Sequence, residues 1–163
     1  GAYAVDHYPA EVGLPTGRWR SNADYASAFF NECFVDELAR ISGLDPLSFR
    51  IQALGGQPRL AHCLALATAM GGWQGGIGGS GQGIACHAMS GSYAAVLVEA
   101  SISGGKLKVP RIVAAVDCGR QVNPDIARQQ IEGGLIFGLA AAMGASVPYE
   151  RNMPTRAILS RMG

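Results

Sequence analysis

The stretch that most constrains this chain is Ala114-Ala115-Val116-Asp117-Cys118-Gly119-Arg120-Gln121-Val122-Asn123-Pro124. Its chemical character changes twice within a few residues. An apolar strand ends on a carboxylate and a thiol, and a glycine-containing loop follows. Asn123, Pro124 and Asp125 then supply the cap, first-turn proline and early acid of a helix start. The chain therefore needs a strand-to-helix corner here, with polar side chains held at it. The helix that leaves the corner, Pro124 to about Met143, carries Gly133, Gly134 and Gly138. Glycine inside a helix costs roughly 0.5–1 kcal/mol relative to alanine, so several predict close packing against another backbone or a cofactor.

Upstream, the spacing predicts three helices before any clear strand. Phe29, Phe30, Cys33, Phe34, Leu38 and Ile41 recur at three- and four-residue steps from Ser21 or Asn22 to Ile41, an amphipathic helix stopped by Gly43. Asp45 and Pro46 open a second, short helix. A third, from about Pro58 to Met70, buries Leu60, Cys63, Leu64 and Ala67 and ends at Gly71-Gly72. A hairpin follows, Tyr93 to Ser101 and Leu107 to Asp117, turned by Ser103-Gly104-Gly105-Lys106. The expected class is α+β, with helices packed on a small, mainly antiparallel sheet.

The chain is 163 residues long, enough for one core. A formal charge of +1 offers no electrostatic footprint for nucleic acid. No apolar run reaches the roughly 18 residues a spanning helix needs, and no charged region precedes a short apolar stretch at the start. Cys33, Cys63, Cys86 and Cys118 form no CxxC pair, so spacing predicts neither a zinc site nor an iron–sulfur cluster. Buried free thiols are expected, above all at Cys33 and Cys63. His7, His62 and His87 are scattered and read as ordinary satisfied or surface residues rather than ligands.

Residues 71–83 hold eight glycines in thirteen positions, the composition of a flexible linker. A phosphate cradle is the alternative. It lacks the Lys-Ser or Lys-Thr of a P-loop and the strand-then-helix setting of a dinucleotide fingerprint.

Two segments resemble one family in the same order. They are Gly17-Arg18-Trp19-Arg20-Ser21-Asn22 with Phe29-Phe30-Asn31-Glu32-Cys33-Phe34, and the corner with Gln129-Gln130-Ile131-Glu132-Gly133-Gly134. Asp45-Pro46-Leu47-Ser48-Phe49-Arg50, Gly83-Ile84-Ala85-Cys86-His87 and Ser92-Tyr93-Ala94-Ala95-Val96 also fit. The family is the large, molybdenum-binding subunit of the xanthine oxidase and aldehyde oxidase group, and within it the isoquinoline 1-oxidoreductase beta subunit and related membrane-linked aldehyde dehydrogenases. The resemblance is to a C-terminal part of a subunit, so residues 1–163 are expected to be one partial molybdopterin-binding domain.

The resemblance implies an oxidoreductase that hydroxylates N-heterocycles or oxidises aldehydes with oxygen from water. The cofactor would be molybdopterin, as such or as its cytosine dinucleotide. Arg20 matches the arginine of the family's loop facing the metal, and Ser21 and the helix start beside it add donors. Asn22 stands where xanthine-oxidising relatives place a stacking aromatic, which speaks against purine-like stacking. Gln130 matches the glutamine that approaches the pterin near its sulfurs. Glu132 and Asp117 are expected to brace loop backbone. The family's general-base glutamate lies in a Gly-Glu element that does not occur before Gly163. Accordingly no catalytic residue or metal ligand is expected within this chain, and on its own it should neither retain the cofactor nor turn over substrate.

Implied partners are the rest of the large subunit, a small iron–sulfur subunit and a cytochrome c, with self-association through exposed apolar faces. Bacterial cytoplasm and the periplasmic face of the inner membrane remain equally open. A noncatalytic scaffold or protein-binding domain is the alternative function.

Overall fold

Capping chemistry sets the helices. In the computed structural model, which describes residues 8, 17–76, 79–151 and 153–155, Asp45 Oδ2 accepts the Ser48 N–H at 2.8 Å and the Ser48 hydroxyl at 2.9 Å. Its other oxygen accepts the Trp73 indole N–H at 2.8 Å. Burial opposes ionisation of Asp45, but these hydrogen bonds outweigh it and hold the carboxyl below its ordinary pKa. Helix α2 (Pro46–Ala53) starts on that cap. Before it lies α1 (Ala23–Ile41), closed at Gly43, and after it α3 (Pro58–Gly71), closed by the left-handed Gly72.

Three strands follow: β1 (Gln82–Met89), β2 (Ser92–Ser103) and β3 (Lys106–Asp117), antiparallel in the order β1-β2-β3. Both hairpins close on two residues with positive φ, Ser90-Gly91 and Gly104-Gly105, the backbone twist that suits a right-handed strand pair. Strand β1 is absent from the sequence reading, and residues 71–83 divide accordingly. Gly71 belongs to α3, and Gln82 and Gly83 to β1. Gly81 has φ +67°, and a Cβ there would collide with the Ala100 carbonyl oxygen at the bulge between Glu99 and Ser101.

The chain divides into two compact units. One runs from Arg20 to Arg128, and the other takes in Trp19 and the described residues from Gln129 onward. In the first, α3 lies on one face of the sheet. Leu60, Cys63, Leu64 and Ala67 meet Ile84 and Cys86 of β1 and Ala95 and Leu97 of β2, the inward positions of each strand. Burying Leu64 and Leu97 completely contributes roughly 1.5–3 kcal/mol each. Gly71 is needed at the end of α3, because a Cβ there would lie 2.6 Å from Leu97 Cδ1.

Helix α1 departs from expectation. Phe29, Phe30, Phe34 and Ile41 are exposed, and so is Cys33, which therefore is not the buried thiol its apolar surroundings suggested. Polar contacts fasten the helix instead. Arg50, only 2% exposed, binds Glu32 Oε2 through Nε at 3.0 Å and Asp36 Oδ1 through Nη1 at 2.7 Å. Burial alone would lower the Arg50 pKa, yet the two carboxylates raise it overall. The same Glu32 oxygen accepts the Cys86 N–H of edge strand β1 at 2.7 Å. Among the described residues no buried side-chain polar atom lacks a partner.

The second unit holds α4 (Pro124–Ala142) from Gln129, with β4 (Tyr149–Glu150) pairing antiparallel to β5 (Met153–Pro154). Trp19 and Phe137 lie with ring centroids 5.5 Å apart. No residue of α4 is buried, and a Cβ at Gly138 would meet nothing within 4 Å. No described helix is long and apolar enough to cross a membrane. His7 falls outside the described residues.

Candidate functional site

The approach to α1 is built by three consecutive exposed residues, Arg20, Ser21 and Asn22. Ser21 (φ 67°) and Asn22 (φ 51°) both occupy the left-handed region, a conformation that costs a non-glycine residue of order 1–3 kcal/mol. Asn22 stands at the cap position without capping: no side chain there accepts a first-turn amide. The Ser21 carbonyl takes one of them, from Asp24 at 3.1 Å. Arg20, Ser21 and Asn22 thus lead consecutively into a helix start that no side chain caps, residue types and first-turn amides suited to an anionic group. The start of α4 contrasts with it. Asn123 Oδ1 accepts the N–H groups of Asp125 and Ile126, both at 3.1 Å, and Asp125 adds negative charge, so that end is self-satisfied as the sequence predicted.

Beside Ser21 opens a cavity of about 370 Å³ lined by Asp24, Tyr25, His87, Met89, Tyr93 and Val116 among others. His87 Nε2 lies 3.0 Å from Asp24 Oδ1 and ties β1 to the first turn of α1. A second cavity of about 310 Å³ continues along α1 and shares Ala28, His87 and Ala94 with the first. Cys86 contributes to its wall. Burial, reinforced by the Glu32 carboxylate, pushes the Cys86 thiol up to about 12, which leaves it unreactive at neutral pH.

At the far end of β3, Asp117 braces the corner by a route the sequence did not reveal. Arg59, in the first turn of α3, donates to Asp117 Oδ2 from Nε at 2.7 Å and to Oδ1 from Nη2 at 2.6 Å, a fork of two parallel bonds. Its guanidinium lies 4.5 Å from the Tyr93 ring centroid. Asp117 Oδ1 also accepts the Gly119 N–H at 3.1 Å. The Arg59 hydrogen bond leads the causes that draw the Asp117 pKa down to about 2 and raise that of Arg59.

Of the predicted cofactor-binding residues, Arg20, Ser21 and Asn22 are contiguous in one unit, while Gln130 is exposed on α4 in the other. Glu132 is exposed on the same helix. Sequence reasoning missed Arg59, Arg50, Glu32 and the His87–Asp24 pair. Each depends on a partner at least 18 positions away, which local pattern does not report. No group of three or more metal-binding side chains occurs among the described residues.

A family model described as a molybdopterin cofactor-binding domain matches residues 69–156, more than half the chain. That span contains the sheet, the corner and Gln130, but not the approach to α1. The beta chain of isoquinoline 1-oxidoreductase from Brevundimonas diminuta is 35% identical over 121 residues, covering 71% of this chain and 16% of that protein. One of the subunits of nicotinate dehydrogenase from Pseudomonas putida is 25% identical over 146 residues, 77% of this chain and 12% of that protein. The carbon monoxide dehydrogenase large chain of Hydrogenophaga pseudoflava is 43% identical over 54 residues, 33% of this chain and 7% of that protein. The chain therefore spans at most 16% of the length of these curated relatives.

Proposed function

The chain belongs to the molybdopterin cofactor-binding domain family, and from that premise we propose that it is one partial domain of a molybdenum hydroxylase large subunit that oxidises N-heterocycles of the isoquinoline kind, or aldehydes. The similarity to isoquinoline and nicotinate oxidoreductase subunits supports that substrate class. When bound, the cofactor supplies the two-electron chemistry that puts water-derived oxygen on the substrate carbon. This chain supplies part of its cradle.

The observation that carries the reading is the uncapped, donor-rich start of α1. Arg20 and Ser21 donate to the anionic part of the cofactor, with the first-turn amides behind them. Asn22 offers a carboxamide where an aromatic would stack on substrate. Gln130 presents donor and acceptor to a pterin edge, whether the cofactor is molybdopterin itself or its cytosine dinucleotide. No residue of this chain is assigned a catalytic role or a metal. On its own the chain neither retains cofactor nor turns over. Activity requires the rest of the large subunit and an iron–sulfur partner, with a cytochrome c as a further electron carrier.

A second reading has its own support. The exposed Phe29, Phe30 and Phe34 suit a noncatalytic scaffold or protein-binding domain that also self-associates. Elemental analysis of purified protein separates the two. Molybdenum and phosphorus should accompany the full polypeptide encoded with this segment and fall severalfold in Arg20→Ala, while the segment alone carries neither. Metal absent from both sinks the enzyme reading and leaves the scaffold.

A further inference from the structure

The Arg59 fork connects two places that sequence keeps far apart, the first turn of α3 and the corner after β3. We infer that Arg59 is a positioning residue for that corner: acting through Asp117, it fixes the course of Cys118 to Asn123 and so the point from which α4, the helix that carries Gln130, sets out. The inference rests on the proposed role of Gln130 for its meaning, but not for its geometry.

The chain of contacts is continuous. Pro58 opens α3 and places Arg59 in its first turn. The two parallel bonds to Asp117 fix the carboxylate plane as well as its distance. Tyr93, paired across the sheet with Asp117, supplies the aromatic surface under the guanidinium, so the fork has a floor. Held in that plane, Asp117 Oδ1 receives the Gly119 N–H, and Gly119 turns the chain at φ +71°. Gln121 Nε2 then reaches Cys118 Sγ at 3.6 Å, and Asn123 starts α4 three residues past Arg120. A lysine would keep the charge but present no plane. Both partners are substantially exposed, so the fork adds little to global stability and its consequence is order in the corner.

Cys118, half-buried at the corner, reports that order without any cofactor. In a Cys33→Ser background, thiol labelling of Cys118 should accelerate severalfold in Arg59→Met. Arg59→Lys should recover little of the difference. Asp117→Asn should match Arg59→Met, and combining the two should add nothing further. Buried Cys63 and Cys86 should stay unlabelled throughout. Unchanged Cys118 labelling, additive effects, or Cys63 labelling that rises in parallel would each overturn the inference. Because labelling is read on the metal-free chain, its failure is separate from failure of the molybdenum reading. If the inference holds and the full polypeptide does bind molybdenum, Arg59→Met should lower its molybdenum content, whereas an exposed control such as Lys106→Met should not.

Discussion

Helix α3 turns Leu60, Cys63, Leu64 and Ala67 onto the sheet and leaves none of them more than 6% exposed, whereas α1 leaves Phe29, Phe30 and Phe34 between 47% and 65% exposed. Both helices show apolar residues at three- and four-residue steps. They differ in what they lie against. Helix α3 covers the inward side of a pleated sheet, where Ile84, Cys86, Ala95 and Leu97 offer a continuous apolar floor. Helix α1 meets the sheet at its β1 edge, where the demand is for a hydrogen-bond acceptor, and Glu32 meets it at the Cys86 N–H. One helix is held by area removed from water and the other by placed charges. Periodicity locates a stripe; the surface opposite decides whether the stripe is used.

The comparison breaks first at Arg50. Arg50→Ala deletes a buried cation and strips Glu32 of its neutralising partner beside the β1 edge. Removing one partner of a buried pair costs about 4 kcal/mol, because the carboxylate left behind stays desolvated. Urea denaturation should show a loss of that order, and hydrogen exchange should quicken in α1 before α3. If α3 exchanges as fast as α1, the charges are not what fastens α1.

Leu64→Ala tests the other helix. It leaves a void where a fully buried side chain sat in the cluster that α3 forms with β1 and β2, and such truncations cost about 3 kcal/mol. The denaturation midpoint should fall with little change in slope. A loss well under 1 kcal/mol would mean that the core between α3 and the sheet collapses to fill the site.

These two helices also show how far the sequence was legible. The cap at Asp45, the stripe of α3, the second hairpin and the Asn123 start of α4 were readable, because each is decided by residues within a few positions of one another. Strand β1 was not readable. Gly83, Ala85 and His87 weaken its alternation, and it borders a glycine-rich stretch. The fate of α1's stripe and the partners of Arg50 and Arg59 depend on tertiary placement, which periodicity does not encode. Family membership was legible in Gln130 and the corner, within the matched span.

An acid titration gives a smaller effect and compares a third, exposed charge cluster with the buried one. Asp117 sits at about 2 instead of 3.8, mainly through the Arg59 hydrogen bond, with the Gly119 amide and His62 also favouring the charged form. A depressed folded pKa means the unfolded chain binds more protons across that interval. The stabilisation is present above about pH 4 and fades as pH falls through about 2. In Asp117→Asn the difference from wild type should shrink as pH drops from 4 to 2. A difference that stays constant over that window would show that the fork contributes nothing through ionisation. Solvent screening keeps the amplitude well below that of Arg50→Ala.

The smallest stability change is expected at Phe30, and that smallness sharpens the comparison. Phe30 is 56% exposed, with its ring set edgewise against Phe29. Phe30→Ala should therefore alter unfolding by no more than about 0.5 kcal/mol, the range of ordinary surface substitutions. Its effect should appear in solution behaviour instead, because a contiguous exposed apolar surface drives association. Light scattering of the chain at rising concentration should decrease in Phe30→Ala and decrease further in Phe29→Ala/Phe30→Ala, with Leu66→Ala on α3 as an exposed apolar control outside the stripe. A loss of 2 kcal/mol or more on Phe30→Ala would place that ring in a packed contact and erase the distinction between the two helices. An unchanged scattering profile would leave the stability difference intact and remove the stripe as the surface through which copies of the chain meet.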